Sequence, residues 1–476
     1  MKEGVREMAR QVVHQDGRHA VALGELRELL GDRLSEAMSV RDHHGHGEGH
    51  HGHSPPPDAV AFAQSTDEVS AIMRICHRHD MPVIPFGTGT SLEGHVEALF
   101  GGLSLDVSGM NRVVEVSPGD LDCLVEAGVT RKQLNSDLRD LGLFFPVDPG
   151  ADASIGGMAA TRASGTNAVR YGTMRESVLG LTVVLADGRI IRTGGRARKS
   201  SAGYDLTRLF IGSEGTLGII TEIRLRLFGI PEEISSAVCA FPSIEAAVDT
   251  VIETIQIGIP VARIELLDPI QMRACIEYSK LQDMEEVPTL FYEFHGSAAG
   301  VREQSGAAQE IAESFGGKSF RWTTRPEDRN RLWQARHDAY FAALSMRKGC
   351  LSWPTDVCVP ISRLAECIRE THADIAESGL LAPIVGHVGD GNFHVQYLLD
   401  PNDPAELEKA QFLNKRMVRR ALAMGGTCTG EHGIGFGKIG SLAEEHGEGL
   451  SVMAAIKDAL DPTGIMNPGK IIARKR

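Results

Sequence analysis

The eight cysteines of this 476-residue chain (Cys76, Cys123, Cys239, Cys275, Cys350, Cys358, Cys367 and Cys428) include no C-x-x-C pair. Their scatter predicts reduced, mostly buried thiols of a cytosolic protein and excludes a disulfide framework. Positive charge is short as well. With 49 Lys+Arg against 63 Asp+Glu the formal net charge is -14, so the counterion release that drives nucleic-acid binding has nothing to work with. No apolar run approaches the roughly 18 residues of a membrane-spanning helix. The N-terminal stretch MKEGVREMARQVVHQDGRHA mixes both charge signs and has no apolar core, so it is not a secretory signal. Aromatics make up 5% of positions, beside 53 glycines and 18 histidines. Glycine in that amount points to backbone that wraps closely around a ligand.

Four stretches differ in texture. Residues 1–57 read as two polar helices, the second carrying AVALGELRELLG, followed by RDHHGHGEGHHGH with six histidines between His43 and His53. That loop is either a metal-capture segment or a solvated low-complexity loop. Residues 58–229 alternate short strands, helices and glycine turns. AVAFAQ, a helix capped by Ser65 or Thr66, and PVIPFG form a βαβ unit. LGLTVVLADGRIIRTGG and GIITEIRLRLFG read as a second, partly antiparallel sheet with a turn at Asp187-Gly188. Residues 230–425 alternate strands (SAVCAF, TLFYEFHG, APIVGHV, FHVQYLL) with long helices, as in an antiparallel α+β domain. Residues 426–476 return to glycine-rich loops. The predicted class is α+β: a two-subdomain ligand-binding region, an antiparallel-sheet substrate or cap domain, and a C-terminal segment returning to the first site.

PFGTGTSLEG places Gly87, Gly89 and Gly94 directly after a strand, yet Leu92 stands where the dinucleotide fingerprint needs its third glycine. The loop still offers successive backbone N–H groups with Thr88 and Ser91 hydroxyls, as a pyrophosphate requires. A second cluster supplies Gly156, Gly157, Ser164, Gly165, Thr166 and Gly172; a third, FIGSEGTLGII, supplies Gly212, Gly215 and Gly218. Three such loops within about 130 residues suggest one extended dinucleotide threaded between two subdomains.

GHVGDGNFH carries a hairpin signal in Asp390-Gly391. A two-residue loop would set His387 directly opposite His394, Cβ atoms about 4.5–5.5 Å apart, which suits two imidazoles on one metal ion. Asn392 and Gln396 share that face. Glu431, in the glycine-rich turn Gly430-Glu431-His432-Gly433, would complete a two-histidine, one-carboxylate set typical of Zn²⁺, Mn²⁺ or Fe²⁺. Glu445-His446-Gly447 repeats the same letters and reads as a solvated helix end.

PFGTGTSLEG, IGGMAATRASGTNAVRYGT and GSEGTLGIIT resemble the flavin-binding loops of the vanillyl-alcohol-oxidase (PCMH-type) FAD family. RLWQARHDAY, TDVCVPISRL, GHVGDGNFH, TGEHGIGFGK and DPTGIMNPGK resemble the cytochrome-type D-lactate dehydrogenases within it, in the family's order from Pro57 to Gly469. The histidine-rich loop is the main departure. The resemblance implies non-covalent FAD held by Pro85, Gly87, Thr88, Gly89, Thr90, Ser91 and Gly94, by Asp148, Ile155, Gly156, Gly157, Ala163, Ser164, Gly165, Thr166 and Gly172, and by Glu214, Gly215, Ile219, Ile220 and Asn467. It implies a divalent metal on His387, His394 and Glu431, with His432 as the base that takes the hydroxyl proton of a D-2-hydroxy acid. Arg336 would clamp the substrate carboxylate, its alternative being a helix-surface arginine paired with Asp338 or Glu327, and Asn392 and Gln396 would line the pocket. Asn467 could equally be a turn residue, and Thr355 and Asp356 either pocket or strand start; Trp333 reads as packing, Lys470 as a solvated charge.

D-lactate is the favoured substrate, passing electrons to a cytochrome c, a quinone or an electron-transfer flavoprotein. Glycolate oxidase subunit and D-2-hydroxyglutarate dehydrogenase are the alternatives within the family. A zinc metallohydrolase, or a metal-storage role for the histidine loop, are alternatives outside it. A cytoplasmic location is expected, with peripheral association to the inner membrane open.

Overall fold

The computed structural model describes residues 19–49, 54–281 and 284–473. The predicted first helix within residues 1–18, and His50, His51 and His53, lie outside them. The chain divides into two compact units. One comprises residues 1–164, 173–230 and 431–476, the other residues 165–172 and 231–430. Both mix helices with sheets that are antiparallel apart from three parallel strands in the first unit, and the α+β class holds.

In the first unit a four-stranded sheet runs in the order Leu34–Ser35, Ala59–Phe62, Leu103–Asp106, Val83–Phe86, the last three mutually parallel. The βαβ unit is present, but Leu103–Asp106 lies between its two strands. Its helix, Thr66–Arg78, begins at Ser65, whose hydroxyl accepts from the Glu68 N–H, with Asp67 and Glu68 in the first turn facing the positive end of the helix dipole. Because Phe86 pairs with Asp106, the chain leaves the sheet at Gly87, where the first glycine loop starts. A five-stranded antiparallel sheet follows in the order Val113–Ser117, Asp122–Glu126, Ile219–Arg226, Val178–Val184, Ile190–Gly194. Asp187-Gly188 does turn the chain, with Gly188 at φ +83°, but inside a longer loop, since Val184 pairs with Ile190. Leu105, Val125, Val183, Ile223 and Leu225 belong to one buried cluster beneath these sheets.

The second unit is built on an antiparallel sheet. Its order is Lys318–Thr323, Glu233–Ala240, Thr289–Gly296, Val261–Leu267, Ile384–His387, Asn392–Leu399 and Leu351–Pro354, with Val357–Cys358 pairing the sixth of these. Ser243, Asp268, Ser297 and Asp403 cap four of its helices through side-chain oxygens, and Pro269 and Pro404 stand in the first turns, where a missing N–H costs nothing. Every residue of Asn392–Leu399 is buried, so both faces of that strand are packed and its polar side chains must be matched internally. Six of the eight cysteines are buried and all are free, as expected. No helix among the described residues is long and apolar enough to cross a membrane.

Leu225 is fully buried between Cys123 and Val178 on neighbouring strands. Leu225→Ala should cost about 2–5 kcal/mol, read from the denaturant midpoint; a loss within error of zero would mean the sheet does not close over that position.

Candidate active site

The hairpin that carries the two histidines forms, in a register two residues from the expected one. His387 pairs with Asn392, and Val385, not His387, pairs with His394. A two-residue type I′ loop needs positive φ at both central residues, and of Asp390 and Gly391 only Gly391 has it, at +77°. Asp390 instead ends a 3₁₀ turn, Val388–Asp390. A shift of two preserves facing, because side chains alternate with period two. His387 and His394 therefore remain on one face, as diagonal neighbours with ring centroids 5.4 Å apart and planes at 80°.

Each imidazole is oriented from behind. His394 Nδ1 lies 2.9 Å from the backbone oxygen of Thr355. A carbonyl only accepts, so that nitrogen carries the proton and Nε2 carries the lone pair. His387 Nδ1 lies 2.8 and 2.9 Å from the two oxygens of Glu265, with the same result. Glu265 sits on Val261–Leu267 with 0% exposure and was not singled out from the sequence, where the only signal is one acid inside the apolar run VARIELL. Burial pushes its carboxyl upward, but the charge of Arg336 and the hydrogen bonds from His387 and Arg336 outweigh this and hold it below the usual range.

Arg336, on Pro326–His337, is buried, and both its Nε (3.0 Å) and its NH2 (2.5 Å) donate to Glu265 Oε2. The surface pairing with Asp338 or Glu327 does not occur. Trp333 packs as expected, its indole N–H donating to Ser236. Asn392 Nδ2 donates to Asp356 Oδ1 and Val357 O, while Gln396 Nε2 donates to Ser352 Oγ and Tyr340 O, so both amides are built into the wall. Asp356, fully buried, also accepts from Thr429 Oγ1 at 2.6 Å.

The 427–430 segment is pinned to this wall: Thr427 N–H donates to Cys358 O, and a Cβ on Gly430 would fall 2.3 Å from Asn392 Nδ2. Glu431 stands one peptide bond further on. Of the three expected ligands, His387 and His394 lie together in the second unit, and Glu431 opens the last stretch of the first. His432 follows, half-buried. The second copy of the letters, Glu445-His446, ends the helix Ile439–His446, with His446 exposed at its surface as expected.

Within the first unit the glycine loops converge. A Cβ on Gly87 would lie 2.4 Å from Ser154 Oγ, and one on Gly215, at φ +70°, would lie 2.6 Å from Pro85. Ser154 N–H donates to Thr88 Oγ1 and caps Ile155–Thr161, which carries Gly156 and Gly157. Ala163 is buried beside that helix, and Ile219 and Ile220 begin the strand after the third loop. Asn467 is no simple turn residue: its Nδ2 donates to His95 O (3.0 Å) and Glu214 O (2.8 Å), clipping the first loop to the third. Glu214 accepts from the N–H groups of Ile434 and Gly435. Thr88 is exposed and Gly87, Gly89, Thr90 and Ser91 are half-buried between buried Phe86 and Glu93, so a ligand can reach the loop. Asp148 is buried and Ser164 half-buried in the same unit, while Gly165, Thr166 and Gly172 belong to the second.

Two expectations fail here. The described start of the histidine loop is not wholly solvated: His43 is exposed, but His44 is buried, 2.9 Å from Asp106 Oδ2 with its ring tilted at 44° and 4.3 Å from that of Phe86, and Glu48 N–H donates to Ser91 O. Nor is Lys470 a solvated charge. It is 2% exposed, with Nζ 2.7 Å from Glu97 O and 3.1 Å from Asn467 Oδ1. An aromatic ring and a backbone carbonyl, neither visible in local composition, hold these two side chains inside.

Residues 57–194 match the family model described as FAD binding domain, and residues 230–471 that of FAD linked oxidases, C-terminal domain. The chain is 54% identical over 455 residues to the probable mitochondrial D-lactate dehydrogenase of Danio rerio, covering 94% of this chain and 91% of that one. It is 47% identical over 452 residues to the mitochondrial D-lactate dehydrogenase (cytochrome) of Arabidopsis thaliana, covering 94% and 80%. Among solved structures, p-cresol methylhydroxylase with substrate bound superposes with a TM-score of 0.80 at 19% identity, covering 96% and 97%, a likeness of fold. These names overturn the expected cytoplasmic location, because both relatives are mitochondrial. Reduced thiols suit the cytosol and the interior of an organelle alike, and do not separate the two.

Burial pushes the Lys470 ammonium down to about 7, against the opposing pull of Glu97 and Glu214. An unfolded chain keeps that proton to about pH 10.4. The cost of burying the charge is therefore full below pH 7 and fades as pH rises above it. Lys470→Met should gain melting temperature over the parent most at pH 6 and less at pH 9; a gain that does not vary with pH contradicts the depressed value.

Proposed function

The chain belongs to the family of FAD-linked oxidases, and on that premise we propose that it is an FAD-dependent dehydrogenase that oxidises a D-2-hydroxy acid, with D-lactate the favoured substrate and pyruvate the product. The observation that carries the site assignment is the pair of histidines whose Nδ1 atoms are both engaged by buried oxygens, turning two Nε2 lone pairs to one side. Glu431, one peptide bond beyond the pinned Gly430, supplies the carboxylate of the set. Such back-bonding is the usual arrangement behind metal-ligating imidazoles, and the donor set fits Zn²⁺, Mn²⁺ or Fe²⁺.

The residues divide the work. Arg336 holds the substrate carboxylate with the edge of its guanidinium that Glu265 does not occupy. Asn392 and Gln396, tied to the wall through their amide nitrogens, keep the pocket shape. His432 takes the hydroxyl proton, a task matched to a neutral imidazole near pH 7. A divalent ion on His387, His394 and Glu431 would supply Lewis acidity that makes a coordinated hydroxyl a stronger acid. FAD supplies the two-electron acceptor for the Cα hydride.

FAD is held without a covalent link: His95, the histidine nearest the first glycine loop, is buried against Glu214 at 3.3 Å. The name of the Arabidopsis relative favours a cytochrome as electron acceptor over a quinone or an electron-transfer flavoprotein. Thr355 donates its hydroxyl to Val395 O and brings no cation for a second substrate carboxylate, which favours a monocarboxylate over 2-hydroxyglutarate. The hydrolase reading leaves the FAD-binding domain without a role.

Anaerobic scans of the flavin band before and after D-lactate, L-lactate, glycolate and D-2-hydroxyglutarate test the reading. Bleaching by D-lactate and not by L-lactate is expected; bleaching by none of the four would sink the substrate assignment. His432→Ala should keep the flavin spectrum and slow its reduction by about 10²–10⁴-fold, and His387→Ala should lose metal and activity together. Full flavin reduction in either variant contradicts the assigned roles.

A further inference from the structure

We propose that Glu265 is a positioning residue that locks the metal ligand His387 and the carboxylate clamp Arg336 into one rigid unit. This rests on the metal and substrate reading given above. Glu265 itself needs to touch neither metal nor substrate.

Three elements supply the three side chains: Val261–Leu267, Pro326–His337 and Ile384–His387. The two strands are paired, with Leu266 opposite Gly386, so Glu265 and His387 are close neighbours across the sheet. Arg336 comes from a helix distant in sequence, and only its bonds to Glu265 Oε2 tie its head group to that strand pair. All three are buried, at 0%, 8% and 9% exposure. At such burial a carboxylate with two donors has few alternative rotamers, and removing it leaves a buried guanidinium without its counter-charge.

The chemistry asks for a carboxylate at this place. Both oxygens accept, one from the guanidinium and both from the imidazole. An amide in the same volume has one accepting end. If its oxygen takes the Oε2 place and keeps Arg336, its NH₂ takes the Oε1 place, 2.8 Å from His387 Nδ1 against 2.9 Å for the oxygen, and presses a competing donor on that nitrogen. The imidazole proton then moves to Nε2, and the lone pair that would bind metal is lost. If its oxygen keeps His387, the NH₂ meets the guanidinium donors and Arg336 loses its anchor. Either way one half of the substrate site comes loose.

The test compares the parent enzyme, Glu265→Gln, Glu265→Asp and His387→Ala. Metal per FAD is measured by elemental analysis, FAD by absorbance, folding by melting temperature, and kcat and KM with D-lactate. Glu265→Gln is expected to keep FAD and its melting transition, while metal occupancy or kcat/KM falls by about 10–100-fold. Glu265→Asp, which keeps both accepting oxygens on a shorter arm, should recover part of the loss. Parent-like metal content and KM in Glu265→Gln, with metal lost from His387→Ala, overturn the role of Glu265 and leave the metal site standing. Metal retained in His387→Ala as well overturns the metal site, and this inference with it. Loss of FAD and of the melting transition in Glu265→Gln, the folded remainder having parent-like metal and KM, marks a purely structural residue and also overturns it.

Discussion

Glu265 has no contact with water, and a carboxylate in that position stays ionised only where donors surround it. Arg336 and His387 are those donors, and each is constrained in return. The guanidinium sits inside the unit because its charge is matched, and the imidazole keeps its proton on Nδ1 because the carboxylate accepts it. The same logic extends along the wall. Asp356, equally buried, is satisfied by Asn392 and Thr429, and the Thr355 carbonyl fixes His394. The polar face of the strand pair is thus a set of buried groups, each held by the next.

The first unit solves a different problem, since its glycine loops have little side chain to hold them in place. Contacts through bare backbone do that work: Gly87 against Ser154, Gly215 against Pro85, Gly94 against the ring of Phe436. Asn467 and Glu214 add directed bonds where chain segments far apart in sequence meet. Positive φ at Gly89, Gly94 and Gly215 and the short distances to their neighbours explain why these positions carry no side chain. The partly exposed stretch from Gly87 to Ser91 is left as polar backbone and small hydroxyls.

Elements whose cause is local were legible in the sequence. The helix opened by Ser65, the strands around Asp187-Gly188 and the hairpin at Asp390-Gly391 follow from caps, alternation and turn residues within a few positions of each other. The shared face of His387 and His394 survived an error in register because the period of a strand is two. What was missed depends on partners far along the chain. Glu265 meets residues 71 and 122 positions away. Lys470 is buried by a carbonyl 373 positions away, and from composition alone it looks like any charged C-terminal lysine. His44 is drawn from its low-complexity loop by Asp106 and Phe86, which belong to the neighbouring sheet. Location was misread for a different reason, since the chemistry of a reduced interior is common to more than one compartment.

The strand Val83–Phe86, which delivers the first glycine loop, is bordered by the last residues of the chain: Val83 N–H donates to Ile465 O, and Asn467 N–H donates to Val83 O. Nearly 400 residues of synthesis separate these partners, with the whole second unit made in between. On a ribosome the early sheet therefore emerges with one margin uncovered and its ligand loops unclipped, and it stays so until residues 465–467 have been made. Closing a contact of such sequence separation is slow and leaves an open strand edge exposed meanwhile. A chain cut before Ile465 would lack both the cover on this strand and the Asn467 clip between the first and third glycine loops.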